Sequence, residues 1–394
     1  MFKTRSLQTV ALLVSAWVVT GCSNPREGTD SSMPEIDGVE VAEVSMDESS
    51  TPVYNIFVEN SGSMQGFFNG NTTLKTIIKE FYDRIDGSMN GDITLNYINT
   101  KIVKDESDIT RYLGGLQRRC NERNTKIDDI LKMAMDSLSG NEVNLVFSDY
   151  CFDSPAGNFA TARSGITNIF EKKLRQNHDL CVAIMKFDCT FDGYYYPGQG
   201  SIRTKQNLPA YVWAFGSNSL IKKIVNLPLS VNREVLVLEP SKSYSPEYVK
   251  LPTQRMIDKK DGKIIVKEWT ADRHESNLYK LSFKADLSNS CVDSNYILGL
   301  DNYSLSEGYW LSDIVKDDNK GVYTFTVETN HPSPNDVVIR LNNSLPSWVS
   351  QSNYDGNALP PLGTTLGISS LIEGVYNAYN QQSDNIFNIK LSIK

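Results

Sequence analysis

Histidine is scarce in this chain: three in 394 residues, His178, His274 and His331. That leaves little imidazole for a zinc site or a histidine general base. No Gly-rich phosphate loop with a following lysine is present, and no Gly-x-Ser-x-Gly elbow. Positive charge is in deficit, with 39 Lys and Arg against 47 Asp and Glu, a formal net charge of −8. An acidic body is a poor match for nucleic acid or anionic lipid surfaces, so no nucleic-acid partner is expected. Beyond the first 20 residues no apolar run is long enough to cross a bilayer as a helix. Cys22 is followed by five more cysteines, Cys120, Cys151, Cys181, Cys189 and Cys291. An odd set cannot pair completely, and its spacings match no zinc pattern. No internal repeat interrupts the chain.

The N-terminus has the grammar of a processing segment. Lys3 and Arg5 precede a mostly apolar Leu7–Val19, which is too short for a stable membrane span. Val19-Thr20-Gly21-Cys22 then resembles a bacterial lipobox. The resemblance implies cleavage before Cys22, acylation of that residue, and a lipid-anchored place in the cell envelope, on the periplasmic or surface face of the outer membrane. Residues 1–21 are then a signal peptide. Residues 22–50 form an acidic tether in which eight acids after Cys22 face Arg26 alone, a composition that buries no core. Its expected reach is about 30 Å. Losing Lys3 and Arg5 with the leader takes the formal charge from −8 to −10.

Residues 51–232 alternate strand and helix signals. Val53–Val58 is strand-like, and Leu74, Ile77, Ile78, Phe81 and Ile85 recur at helical spacing. Ile93, Leu95 and Tyr97 alternate. Ile127, Ile130, Leu131, Ala134 and Leu138 give a second helix, Val143–Phe147 a strand broken only by Asn144, and Ile166, Ile169, Phe170 and Leu174 a third helix. Cys181–Phe187 and Tyr211–Phe215 complete the strands, and Leu220–Val225 closes with a helix. Largely apolar strands alternating with helices predict an α/β, doubly wound, Rossmann-like parallel sheet. Ligands in such folds bind beyond the carboxyl ends of the strands, where strand order reverses.

The strand Val53–Val58 runs into Glu59-Asn60-Ser61-Gly62-Ser63, a carboxylate and two hydroxyls on one turn. Thr125 precedes the helix at Ile127, and Asp149 ends the strand at Phe147. These are hard oxygens, suited to Mg²⁺ first, and to Ca²⁺ or Mn²⁺. The pattern resembles the von Willebrand factor type A domain and its metal-ion-dependent adhesion site. That family has Asp-x-Ser-x-Ser after the first strand, a threonine before a helix and an aspartate after the fourth strand. The resemblance implies a divalent-cation site of Glu59, Ser61, Ser63, Thr125 and Asp149. It also implies a protein partner whose acidic residue completes the shell. Glu59 departs from the family, which has aspartate; the extra methylene moves the carboxylate relative to any cation. Each residue also has a plainer reading: Glu59, Ser61 and Ser63 as caps of the next helix, Thr125 or Asn124 as an N-cap, and Asp149 as a cap or an arginine partner.

From Arg233 the pattern changes to short alternating segments separated by turns such as Asp261-Gly262 and Asn319-Lys320-Gly321, predicting an antiparallel β-sandwich over 233–350. Residues 351–394 carry a helix around Leu366–Val375 and a last strand, Ile386–Ile393. Two loops, Tyr150–Phe159 and Phe191–Pro197, hold aromatic residues suited either to an interface or to packing. The sequence thus points to an envelope lipoprotein that engages a protein partner. A metal-dependent hydrolase using the same oxygens, and a structural subunit whose site has decayed, stay open as alternatives.

Overall fold

The computed structural model describes residues 51–123, 126–151, 158–196, 201–250, 257–260, 263–266, 278–317, 321–331, 335–356, 361 and 363–393. The leader, Cys22, the acidic tether and Thr125 lie outside these residues. Among the described residues, no helix is long and apolar enough to cross a membrane.

The first half runs β1 (Val53–Glu59), a 3₁₀ helix (Gly62–Phe68), α1 (Thr73–Ser88), β2 (Asp92–Ile98), β3 (Ile102–Asp105), α2 (Ile109–Arg119), α3 (Ile127–Asp136), β4 (Glu142–Ser148), α4 (Phe159–Gln176), β5 (Leu180–Tyr195), β6 (Ile202–Ser217), α5 (Asn218–Val225) and β7 (Arg233–Leu238). Its sheet has seven strands in the order β3-β2-β1-β4-β6-β5-β7. Side-chain alternation along β1 divides the core in two. Ile56 and Val58 face a layer containing Leu74, Ile77, Phe81 and Leu116, whereas Phe57 faces Ile127, Ile130, Ile166 and Phe170. Helices therefore cover both faces, as apolar strands require.

The sheet is mixed, not parallel throughout. β1 pairs parallel with β2 and with β4, but β3 is antiparallel to β2, and β6 runs antiparallel between β4 and β5. The cause is a hairpin. β5 and β6 are each 16 residues long and stay paired from Leu180↔Ser217 to Tyr195↔Ile202. A hairpin return places the next strand antiparallel beside its predecessor, where a helical crossover would have given a parallel one. β7 pairs with β5 and so belongs to this sheet rather than to the region that follows.

The second half runs β8 (Lys242–Tyr244), β9 (Glu247–Lys250), β10 (Ile257–Lys260), β11 (Lys263–Val266), β12 (Tyr279–Asp286), α6 (Ser294–Leu298), β13 (Tyr303–Leu305), β14 (Tyr309–Lys316), β15 (Val322–Thr329), β16 (Val337–Asn342), α7 (Ser347–Gln351), β17 (Asn353–Tyr354), β18 (Thr365–Leu366), α8 (Ile368–Asn380) and β19 (Asn385–Ile393). A four-stranded sheet, β14-β15-β12-β9, is antiparallel throughout. The other is mixed: β19 pairs antiparallel with β16 but parallel with β8 and β11. Phe283, Phe325, Ile339, Phe387 and Ile389, from both sheets, share one apolar core. The purely antiparallel sandwich is thus corrected to a β-rich region with one mixed sheet, because the C-terminal strand enters its middle.

The C-terminal helix leaves that region. α8 packs on α4 against the first sheet, burying Ile368, Leu371, Ile372 and Val375 in the layer that holds Ile166 and Phe170. The Thr167 hydroxyl donates to the Gly374 carbonyl at 2.9 Å, and Tyr379 donates to the Leu180 carbonyl at 2.9 Å. A Cβ at Gly374 would stand 2.8 Å from the Arg163 carbonyl oxygen, so only glycine admits this close helix approach.

Candidate functional site

β1 lies between β2 and β4, so the chain departs from β1 toward both sides of the sheet. Such a switch point opens a crevice beyond the strand ends. Parallel pairing sets Val58 opposite Phe147, which brings the end of β1 beside Ser148 and Asp149. Glu59 and Asp149, distant in sequence, are therefore neighbours across the carboxyl end of the sheet.

Glu59 is fully buried. Its Oε1 accepts from the Ser61 backbone N–H at 3.2 Å, and its Oε2 accepts from the Ser148 hydroxyl at 2.9 Å. The Ser61 and Ser63 hydroxyls lie 2.9 Å apart. Ser61 is buried and Ser63 half-buried, so the turn shows its second hydroxyl outward. Asp149 is 4% exposed, and its Oδ1 accepts from the Cys151 N–H at 3.1 Å. Both carboxylates act on one neighbour: burial, then Glu59, then Asp149 push the Cys120 thiol well above the usual thiol range. Burial and Glu59 likewise raise Tyr150. Two chain-distant acids thus lie close to one buried thiol.

The plainer reading as helix caps does not hold for the serines. The 3₁₀ helix begins at Gly62 with no side-chain cap bond from Ser61, and α1 begins at Thr73 with none from Thr72. Thr125 lies outside the described residues. Glu122 bridges to Ser61: the Gly62 N–H donates to the Glu122 carbonyl at 2.9 Å, and the Glu122 N–H donates to the Asn60 carbonyl at 3.2 Å.

Sequence reasoning missed two residues. Ser148 is completely buried and donates to Glu59 while accepting from the Tyr150 N–H at 2.8 Å. Its place directly before Asp149 was the available signal. Tyr150 has φ +48°, in the left-handed region that a bulky side chain rarely adopts. Its buried ring stacks on Trp213 at 4.7 Å and 14°, and this packing holds the backbone there. Backbone strain of this kind persists where surrounding structure enforces it, and it is concentrated at functional positions.

The β5–β6 hairpin rims the site. Cys151 donates to the Tyr196 carbonyl at 3.7 Å, and burial together with Cys151 and Asp149 raises the Tyr195 hydroxyl. Tyr195 and Phe191 are buried, while Tyr194 and Tyr196 are exposed. Gly66 and Gly193 allow the crossing: a Cβ on Gly66 would meet the Phe191 ring at 2.3 Å, and one on Gly193 would meet the Gly66 Cα at 2.6 Å.

Glu59, Ser61, Ser63 and Asp149 offer oxygen only. Carboxylates with neutral hydroxyls are the donor types a hard divalent cation takes. Such an ion would supply charge compensation and an electrophilic position for an outside oxygen.

No family model matches this sequence, and no curated protein is significantly similar to it. Among solved structures, the crystal structure of an aerotolerance-related membrane protein from Bacteroides fragilis, carrying multiple mutations to serines, aligns with 14% identity and a TM-score of 0.24. The alignment covers 32% of this chain and 63% of that one, so the chain spans less than two thirds of that protein's length.

Proposed function

We propose that the chain is an envelope lipoprotein whose first half is a variant von Willebrand factor type A-like domain that binds a protein partner through a divalent cation. The observation that supports the reading is that β1 and β4 end side by side, with Glu59 bonded to the Ser61 N–H and to the Ser148 hydroxyl, Asp149 next in the chain, and Tyr150 held left-handed after it. In this reading Ser61, Ser63, Asp149 and Thr125 hold the ion, and the half-buried Ser63 is the donor nearest solvent. Glu59, buried and bonded to Ser148, supplies negative charge from beneath. An acidic side chain of the partner closes the shell, and Tyr194 and Tyr196 provide aromatic contact at its rim. Acylated Cys22 and the acidic tether hold this body near a membrane without fixing its orientation.

Calorimetric titration of the full chain with Mg²⁺, Mn²⁺ and Ca²⁺ tests the reading. One equivalent should bind, and Asp149→Asn and Ser61→Ala should each remove that binding while circular dichroism stays unchanged. Absence of binding in the parent chain would leave a site that has lost its ion, and the adhesive role would fall.

A further inference from the structure

Cys181 and Cys291 are not disulfide-bonded in this structure, yet they converge. Cys181 lies near the start of β5, and Cys291 in the loop between β12 and α6. Their sulfurs and a Glu239 carboxylate oxygen all lie within 4.8 Å of one another. Cys181 is fully buried and Cys291 is 7% exposed.

A metal is a poor occupant. Glu239 already accepts from Ser290 Oγ at 2.7 Å, from the Cys291 N–H at 3.2 Å, from Asn218 Nδ2, and from Lys242 Nζ at 3.3 Å. The lysine ammonium compensates the carboxylate and would repel a cation beside it. What remains unspent is sulfur chemistry. The Cys291 thiol donates to the Asn218 carbonyl at 3.3 Å, and the Cys181 thiol contacts the Cys291 sulfur.

We propose that Cys181 and Cys291 are a disulfide-forming pair that, when oxidised, staples the β-rich region to the seven-stranded sheet. Forming the bond needs the sulfurs to close to about 2.05 Å, less than about 3 Å of travel from the present 4.8 Å limit. Cys181 is fixed in the sheet, so the 287–293 loop moves. Cys291 lines a cavity of about 1040 Å³ together with Ser290, Lys222, Tyr296 and Trp348, and in this proposal the oxidant enters there as the loop moves.

The step is thiol–disulfide exchange with an external disulfide. The Cys291 thiolate attacks one sulfur of the reagent, breaking its S–S bond and releasing one thiolate. The Cys181 thiolate then attacks the Cys291 sulfur of the mixed disulfide and expels the second. Two electrons pass to the reagent, and the two protons given up by Cys291 and Cys181 are taken up, through solvent, by its two released thiolates, which become thiols. Burial raises the Cys181 thiol well above its usual range, so the second attack is the slow one.

The test exposes the full chain to oxidised glutathione, blocks remaining thiols with N-ethylmaleimide under denaturing conditions, and maps non-reduced peptides by mass. The expected result is one linked pair of peptides carrying Cys181 and Cys291, lighter by two hydrogens and separated again by dithiothreitol. The oxidised chain should unfold at higher urea than the reduced one, and Cys291→Ser should lose that shift. Both cysteines recovered as alkylated thiols, or linked to Cys120, Cys151 or Cys189 instead, would overturn the proposal. So would a Zn²⁺ ion retained at the pair that blocks oxidation. None of these outcomes bears on cation binding at Ser61 and Asp149, so the two readings fail separately.

Discussion

Ser148→Ala removes one oxygen atom and tests how Glu59 is kept in the interior. The serine hydroxyl donates to Glu59 Oε2 at 2.9 Å and accepts from the Tyr150 N–H at 2.8 Å, and none of the three groups' surroundings is open to water. With Glu59 ionised, losing the donor forfeits a charge-assisted bond, about 1.5–3 kcal/mol, and leaves a buried N–H unsatisfied, about 1–3 kcal/mol. The two share one atom and do not add fully, so about 3–5 kcal/mol is expected. That is a large fraction of an ordinary stability of about 5–15 kcal/mol. Urea unfolding followed by tryptophan fluorescence is the assay, since Trp213 stacks on Tyr150. The midpoint should fall by about 1 M or more for a slope near 3 kcal/mol per molar. Ser148→Thr, which keeps the hydroxyl, should recover most of the loss. With Glu59→Gln as background the cost of Ser148→Ala should drop by about half, because the acceptor is then neutral. A cost below about 1 kcal/mol in the parent chain, or an equal cost in both backgrounds, would refute an ionised Glu59 held by Ser148.

Two further outcomes follow from the same geometry. Gly66→Val drives a side chain into the Phe191 ring, which a Cβ alone would approach to 2.3 Å, and should lower stability by about 1–3 kcal/mol; an unchanged melting temperature would show that the hairpin does not rest on the 3₁₀ helix. Burial raises the Asp179 carboxyl above 3.8, although the Asn218 N–H donates to it at 3.2 Å. The folded state then holds this proton more tightly than the unfolded state, so its contribution is complete at low pH and is lost as pH rises through the raised value. Asp179→Asn should flatten the stability–pH curve just above the ordinary aspartate range, and a curve of unchanged slope in urea titrations would contradict that sign.

Local periodicity made much of the first half legible. The spacing of Leu74, Ile77, Ile78, Phe81 and Ile85 marks α1, and the same rule marks α3 and α4. The adjacency of β1 and β4, on which the oxygen cluster depends, is a matter of strand order that the structure supplies. What escaped was non-local. Ile202–Asn207 alternates exposed and half-buried residues and reads as a polar loop, yet it extends β6 by pairing with the distal half of β5. That pairing makes the sheet mixed, and it is fixed by contact between two segments rather than by either alone. α2 is capped by Asp108, whose side chain accepts from the Arg111 N–H, but only Tyr112 and Leu116 are buried, too few for a clear apolar stripe. The return of α8 to the first sheet and the left-handed Tyr150 depend on packing partners far away in sequence. Asn144, which interrupts an otherwise apolar strand, is explained by the structure. It is fully buried, donates to the Ala134 carbonyl at 2.5 Å, and accepts from Asn55 at 2.8 Å.

The most direct test of the oxygen cluster is anomalous diffraction from crystals of the protein soaked in Mn²⁺. The account predicts one strong peak beyond the ends of β1 and β4, within about 2.0–2.6 Å of the Ser61 and Ser63 hydroxyls and an Asp149 carboxylate oxygen. Crystals showing no peak there, or a peak only beside Cys181, Glu239 and Cys291, would contradict it.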